Sequence, residues 1–249
     1  MKYSLQRNIC ANSPIIYGFI WSIATLAAGI IFSKWSSIDI RVSELFYDAT
    51  KGIWPMASST AFELFRMSLW YMADGSFLAC FALLCLRIVS PLFRRVRWES
   101  LGFYILTYAV GPGLLVNVYL KEFWGRARPN QILQFGGNKF FTPALEMTSQ
   151  CQHNCSFVAG EGSAFACISI SLFFIMKPRL EKLNVRVMLA VIFVLAIVGS
   201  MMRVGFGGHF FSDVVFSWLL MALVVGLMDW IFRLFHLDYK VRPEHCLSR

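Results

Sequence analysis

Charge is what this sequence has least of. Only 15% of its 249 residues are Asp, Glu, Lys or Arg, and there are just four histidines. A soluble domain of this length needs a charged surface around its core, and a chain that is 57% hydrophobic with 24 Phe and 8 Trp does not have one. Internal repeats, low-complexity tracts and long linkers are missing too. Their absence excludes solenoids and linked modules and leaves one domain over residues 1–249.

Apolar runs take the place of charge. Six are read near 14–33, 67–90, 101–120, 156–176, 187–202 and 214–235. Most reach the roughly 20 residues that cross a bilayer as a helix, and the fifth needs residues from its flanks. The expected fold is all-α, a polytopic membrane bundle of six transmembrane helices. The first run contains small residues in "LAAG" near Ala27, as a cleavable signal would, but it continues past them and is expected to stay as a span.

Topology follows from the basic loops. Fourteen of the 23 Lys and Arg fall on one side, in the N-terminal segment, the 87–97 and 177–186 loops and the C-terminal stretch. By the positive-inside rule both termini face the cytoplasm. The net charge of +9 is then explained by positive loops beside anionic lipid, and no nucleic-acid partner is implied.

The seven cysteines sort by location. Cys80, Cys85 and Cys167 lie in apolar runs, where a thiol acts as a small hydrophobe. Cys10 and Cys246 are assigned to the reducing side. Cys151 and Cys155, in "SQCQHNCS", are assigned to the outer side and expected to pair as a short disulfide. With His153 between them they also suggest a metal site. Three ligands within five residues give poor tetrahedral geometry, however, and no fourth is evident.

Three polar clusters fall at the outer ends of spans: "KEFWGRARP" after the third, "CSFVAGEGS" opening the fourth, and "RVGFGGHFFSD" between the fifth and sixth. Lys121, Arg128 and Arg203 are cations, and the two guanidiniums offer forks that match phosphate oxygens. The start of the fourth span adds free N–H groups and a positive helix end, with Gly160 and Gly162 allowing close approach. His209 and Asp213 share a face if the sixth helix begins near Gly208, so the carboxylate would fix the imidazole tautomer. Together these residues suggest phosphoryl transfer through a phosphohistidine.

Taken singly, each has a plainer reading. Lys121 or Arg126 could bind lipid headgroups, His209 could be a packing residue, and "AGEG" could serve close helix packing. The "GPG" at Gly111–Gly113 reads as a kink, and Asp74 as a residue buried against a neighbouring helix. The set of clusters, not any member, carries the inference.

The set resembles the type 2 phosphatidic acid phosphatase superfamily, which includes the vanadium haloperoxidases. Its first motif is matched by Lys121, Arg128 and Pro129, and its third by Arg203, His209 and Asp213. Its second, Pro-Ser-Gly-His, falls on Val158, Ala159, Gly160 and Glu161, so only the glycine is kept. The resemblance covers about residues 100–235. It implies His209 as nucleophile, Asp213 as its orienting carboxylate, and Lys121, Arg128, Arg203 and the N–H groups around Gly160 as the phosphate cradle, with no metal or other cofactor. Glu161 stands where the family's acid for the leaving oxygen is, and Ser156 or Ser163 would have to replace the hydroxyl missing at Ala159.

Gly-Glu preceded by "NCSF" looks like the bacterial lipid A phosphatase branch, which acts on the outer face of the inner membrane. The expected partners are a phosphorylated membrane lipid and the bilayer. The segment from "RARPNQILQFGG" to Gln150 would receive a large headgroup. A leaving group that needs little protonation favours the anomeric 1-phosphate over the 4′-phosphate. Undecaprenyl pyrophosphate and phosphatidylglycerol phosphate are the alternative substrates. A weakly catalytic anionic-lipid binder is the alternative of another class.

Overall fold

The computed structural model describes residues 2–237, 239 and 240, with side chains from Pro14 onward. Cys246 therefore lies outside the described residues, as does the side chain of Cys10. The chain is helical throughout: α1 Lys2–Lys34, α2 Ser37–Glu44, α3 Thr60–Val89, α4 Trp98–Phe123, α5 Gly160–Met176, α6 Leu183–Gly205 and α7 Phe211–Leu234. Among the described residues there is no strand, only two isolated bridges, Asp48–Ile53 and Ile132–Lys139. Six helices are long and apolar enough to cross a membrane. Their outer faces carry Ile15, Phe19, Leu26, Leu78, Ile88 and Val194, all exposed. Lipid is the solvent that suits such a surface.

Two of the spans exceed the apolar runs at charged residues. The second begins at Thr60, not near 67, because Glu63 and Arg66 are held within its first turns at 2.6 Å. The fifth spans Leu183–Gly205 and takes in Arg186 and Arg203. The GPG stretch lies in a wide π-helical winding, Ala109–Leu120. There Gly111 lets Met221 approach so closely that an added Cβ would sit 2.7 Å from its sulfur.

α5 is the most enclosed span. Its buried Ser163 and Ser169 donate to the Gly160 and Phe165 carbonyls at 2.7 Å, so the polar groups inside the bundle are satisfied locally. Gly162 meets Ser217 of α7, and Gly199 of α6 meets Phe165, where added Cβ atoms would be 2.7 Å from their neighbours. α1 completes the bundle through Tyr17 against Phe174 and Phe32 against Phe216. Asp74 is half-buried and accepts a hydrogen bond from Tyr108 of α4 at 2.7 Å.

Alternation of direction places the ends of α1, α4 and α6 and the starts of α3, α5 and α7 at one end of the bundle. α2 and the long segment 124–159 lie at that same end, tied to it by bonds to α7 and α4.

Candidate active site

The segment after α4 is extended, and Arg128 has φ −84° and ψ 158°. In a regular strand residues i and i+2 share a face, but Arg126 and Arg128 reach different partners, so this segment does not run as a regular strand. Arg126 goes inward and is fully buried. It donates to Asp39 Oδ2 of α2 at 2.7 Å, Asp213 Oδ1 at 2.6 Å, Ser212 Oγ at 2.9 Å and the Thr142 carbonyl at 2.9 Å. Its guanidinium stacks 4.2 Å from the Phe210 ring centroid. Asp39 also accepts the Ser212 N–H and hydroxyl, at 2.8 and 2.5 Å. Burial pushes the Asp39 carboxyl above its usual range, against the pull of Arg126. The headgroup-binding reading of Arg126 is thereby replaced: the buried guanidinium gives four hydrogen bonds to the protein.

Arg128 faces the other way. Its guanidinium donates to the Asn154 carbonyl at 2.7 Å and to Asn154 Oδ1 at 2.9 Å, and the same Oδ1 accepts from Lys121 Nζ at 3.1 Å. Asn154 thus clamps two of the three cations. It adopts φ 50° within the loop closed by a Cys151–Cys155 disulfide. That loop is laced to the first cluster by Cys151 N–H to the Gly125 carbonyl, Cys155 N–H to Lys121 and Ser156 N–H to Arg126, at 2.8–3.0 Å. His153 turns outward and pairs with Glu122 at 2.8 Å. Among the described residues no group of three His, Cys, Asp or Glu is placed to hold a metal ion.

Lys121 also packs on the start of α5. A Cβ at Gly160 would lie 2.8 Å from its Nζ, so this glycine keeps the ammonium beside the helix end. The first N–H of α5 bonded to a carbonyl is that of Ser163, to Ala159. The N–H groups of Gly160, Glu161 and Gly162 have no intrahelical acceptor, which is the anion-binding end expected of a helix N-terminus.

Arg203 closes the other side. Its guanidinium lies against Gly208, where an added Cβ would be 2.6 Å from Nη2. The turn leading to His209 is fixed by Gly208 and His209 N–H groups bonded to the Arg203 carbonyl, and by Gly207 at φ 64° beneath the Trp54 ring. Lys121 and Arg203 are both close enough to act electrostatically on His209, as Arg203 does on Arg128. The predicted cradle of Lys121, Arg128, Arg203 and Gly160 is therefore gathered around His209.

His209 and Asp213 do not make the predicted pair. α7 starts at Phe211, not near Gly208, so His209 precedes the helix and loses the i,i+4 stacking. Nδ1 lies 3.9 Å from Asp213 Oδ2, too far for a hydrogen bond, and instead bonds the Ser156 carbonyl at 2.7 Å. A carbonyl only accepts, so Nδ1 carries the proton and Nε2 keeps its lone pair. Burial drives the His209 pKa down to about 3, with the Arg203 and Lys121 charges adding to it, so the imidazole is neutral. Asp213 acts one step back. It accepts the Phe210 N–H at 2.9 Å as a helix cap and the Ser156 hydroxyl at 2.6 Å, and so holds the residue that holds the histidine.

Two further expectations change. Ser156 and Ser163 do not replace the missing hydroxyl at Ala159, since their protons go to Asp213 and the Gly160 carbonyl. Glu161 is not a free acid: its Oε1 accepts from Arg66 at 2.5 Å and lies 3.6 Å from Arg203. Arg66 was left outside the second apolar run by its charge, and nothing in sequence joined it to Glu161, 95 residues away. Asn154 had a weak signal in the cysteines that bracket it. Asp39, in "SIDIRVSE", had none.

A buried, neutral histidine with a free nitrogen among three cations and a helix N-terminus has the chemistry to receive a phosphate ester. The model of the PAP2 superfamily matches residues 100–236, and the chain belongs to that superfamily. It is a lipid phosphatase of the membrane branch, a phosphoric monoester hydrolase. The chain is 33% identical over 221 residues to the lipid A 4′-phosphatase of Rhizobium leguminosarum, covering 80% of this chain and 88% of that one. It is 38% identical over 146 residues to the protein of that name from Francisella tularensis subsp. novicida, covering 55% and 59%. It is 32% identical over 211 residues to that of Rhizobium etli, covering 80% of each. No solved structure matches the chain.

Proposed function

We propose that this enzyme removes the 4′-phosphate of lipid A, with His209 as nucleophile and without a metal ion. The observation that carries the mechanism is the Ser156 carbonyl on His209 Nδ1, which leaves Nε2 unprotonated. Nε2 attacks phosphorus, the bond to the sugar oxygen breaks, and a phosphohistidine forms that water then hydrolyses. Lys121, Arg128, Arg203 and the α5 N–H groups hold the non-bridging oxygens and neutralise charge in the transition state, the task a divalent ion performs elsewhere. The leaving-group argument favoured the 1-position, but the relatives of this chain, each called a 4′-phosphatase, move the reading to the 4′-position. The excess of basic residues on the opposite loops supports a site on the periplasmic side of a bacterial inner membrane, with both termini cytoplasmic.

Mass spectrometry of bis-phosphorylated lipid A, incubated with purified enzyme and EDTA, tests the reading. Loss of one phosphate from the non-reducing sugar by the wild type, and none by His209→Ala, is expected. Cleavage only of phosphatidylglycerol phosphate or undecaprenyl pyrophosphate would keep the mechanism and reject the substrate. Loss abolished by EDTA would reject the metal-free mechanism.

Glu161 has a positioning role here, holding Arg203 and Arg66, and the leaving oxygen takes its proton from water. Glu161→Gln is then expected to slow lipid A and an aryl phosphate to a similar degree, about 10-fold. Selective rescue by the aryl phosphate, whose leaving group needs no proton, would make Glu161 the general acid after all.

A further inference from the structure

Beside the phosphate cradle lies a second, separate hollow. It has a volume of about 440 Å³ and is lined by polar side chains, among them Gln131, Lys139, Ser149, Gln150, Gln152 and His153. A volume of this size is that of a small-molecule pocket, but such pockets are mostly apolar. Carboxamides, a hydroxyl and an ammonium match the hydroxyl, amide and phosphate groups of a sugar. Lys139 is exposed and, among the described residues, forms no ion pair.

Its placement ties it to the reaction. One wall is Gln131, whose Oε1 accepts the backbone N–H of Arg128 at 3.0 Å. Three residues of chain reach at most about 10 Å, so the backbone of this wall lies within that distance of the Arg128 backbone. The other wall is the disulfide loop, in which Gln152 and His153 face the hollow while Asn154, the next residue, holds Lys121 and Arg128. The segment that lines the hollow also meets the bundle. Leu145 packs on α1 at Gly29, 3.1 Å from where a Cβ would be, and Phe140 and Met147 are exposed beside it.

We propose that this hollow binds the sugar headgroup of a phosphorylated glycolipid, and that Lys139 takes an anionic group on the part of the headgroup that is not cleaved. The proposal rests on the lipid A reading above and adds the residues that would select it. An amino-sugar disaccharide with phosphates at both ends supplies the polyhydroxylated body and the second anion; phosphatidylglycerol phosphate supplies a second anion but no sugar body.

The test is steady-state kinetics on bis-phosphorylated lipid A with the intact enzyme and with Lys139→Ala/Gln152→Ala, alongside inhibition by orthovanadate, which fills a phosphate cradle alone. Both substituted residues are exposed, and retained folding is read from thermal unfolding. The expected result is a KM raised about tenfold, with kcat and the orthovanadate inhibition constant unchanged. An unchanged KM would overturn the subsite and leave the lipid A reading standing. A KM and an orthovanadate constant that rise together would also overturn it, since the hollow would then act only through the cradle. A wild type that does not turn over lipid A would overturn both.

Discussion

Arg126 and Arg128 stand two residues apart in one motif, and the structure gives them opposite work. Arg126 is fully buried between Asp39 and Asp213. Arg128 opens toward the cradle, and among the described residues its guanidinium donates to the Asn154 side-chain oxygen and carbonyl. The buried region carries its anions within the protein, two carboxylates on one guanidinium. The cradle has three cations gathered about a neutral histidine, with Glu161 beside Arg203 as their carboxylate. The contrast teaches that the same residue type is a strut where the carboxylates are built in and a ligand where the anion must arrive.

Breaking the strut should cost most. Arg126→Ala leaves two carboxylates buried without their shared partner, a loss of about 3–5 kcal/mol in stability. Lysine cannot bridge two carboxylates with a planar fork, so Arg126→Lys should fail similarly. The measurement is thermal unfolding in detergent, where both variants are expected to unfold well below the wild type or not to accumulate. Wild-type unfolding of either would show that the pair is not stabilising.

Arg128→Ala sharpens the comparison. Loss of one transition-state contact should lower kcat/KM by about 10²–10³ while leaving the unfolding temperature near that of the wild type. A variant that loses stability as much as activity would place Arg128 with the struts.

How much of this was legible in the sequence depends on the distance over which each contact acts. The six spans were readable because lipid imposes a length on each one separately, and the cradle because Lys121–Arg128 and Arg203–Asp213 keep fixed spacings. The spacing misled at His209, where i,i+4 implies stacking only inside a helix and α7 begins two residues later. Partners such as Arg66 for Glu161, 95 residues apart, and Asp39 for Arg126, 87 apart, leave no local pattern. Polar residues in short segments look alike until the fold decides which are enclosed.

The histidine allows the two regions to be compared by pH. Its folded pKa of about 3 lies below the value near 6.5 expected when unfolded. Between these values the unfolded chain binds the extra proton, so stability falls as pH drops below 6.5. The charged groups facing the imidazole are Arg203, Lys121 and Asp213. From pH 7 to pH 5 the loss attributable to His209 is about 2 kcal/mol. Unfolding of the wild type should therefore be steeper in pH than that of His209→Gln, and parallel profiles would contradict a neutral, buried imidazole. The same depression removes His209 ionisation from the pH–rate profile between pH 5 and 8.

A smaller effect is expected at Asn154, which holds two cations of the cradle but carries no charge. Its side-chain oxygen and carbonyl orient Arg128, and the oxygen alone reaches Lys121. Asn154→Ala removes the shared oxygen but keeps the carbonyl, so both cations stay and only their aim is loosened. A fall in kcat/KM of about tenfold follows from one lost positioning bond to each charged group. Reduction of Cys151–Cys155 frees the loop while leaving Asn154 in place, and should cost less, a few-fold. The two perturbations act on one element, so dithiothreitol should add little in Asn154→Ala. Fully additive losses in kcat/KM would mean that the disulfide acts on the site by another route.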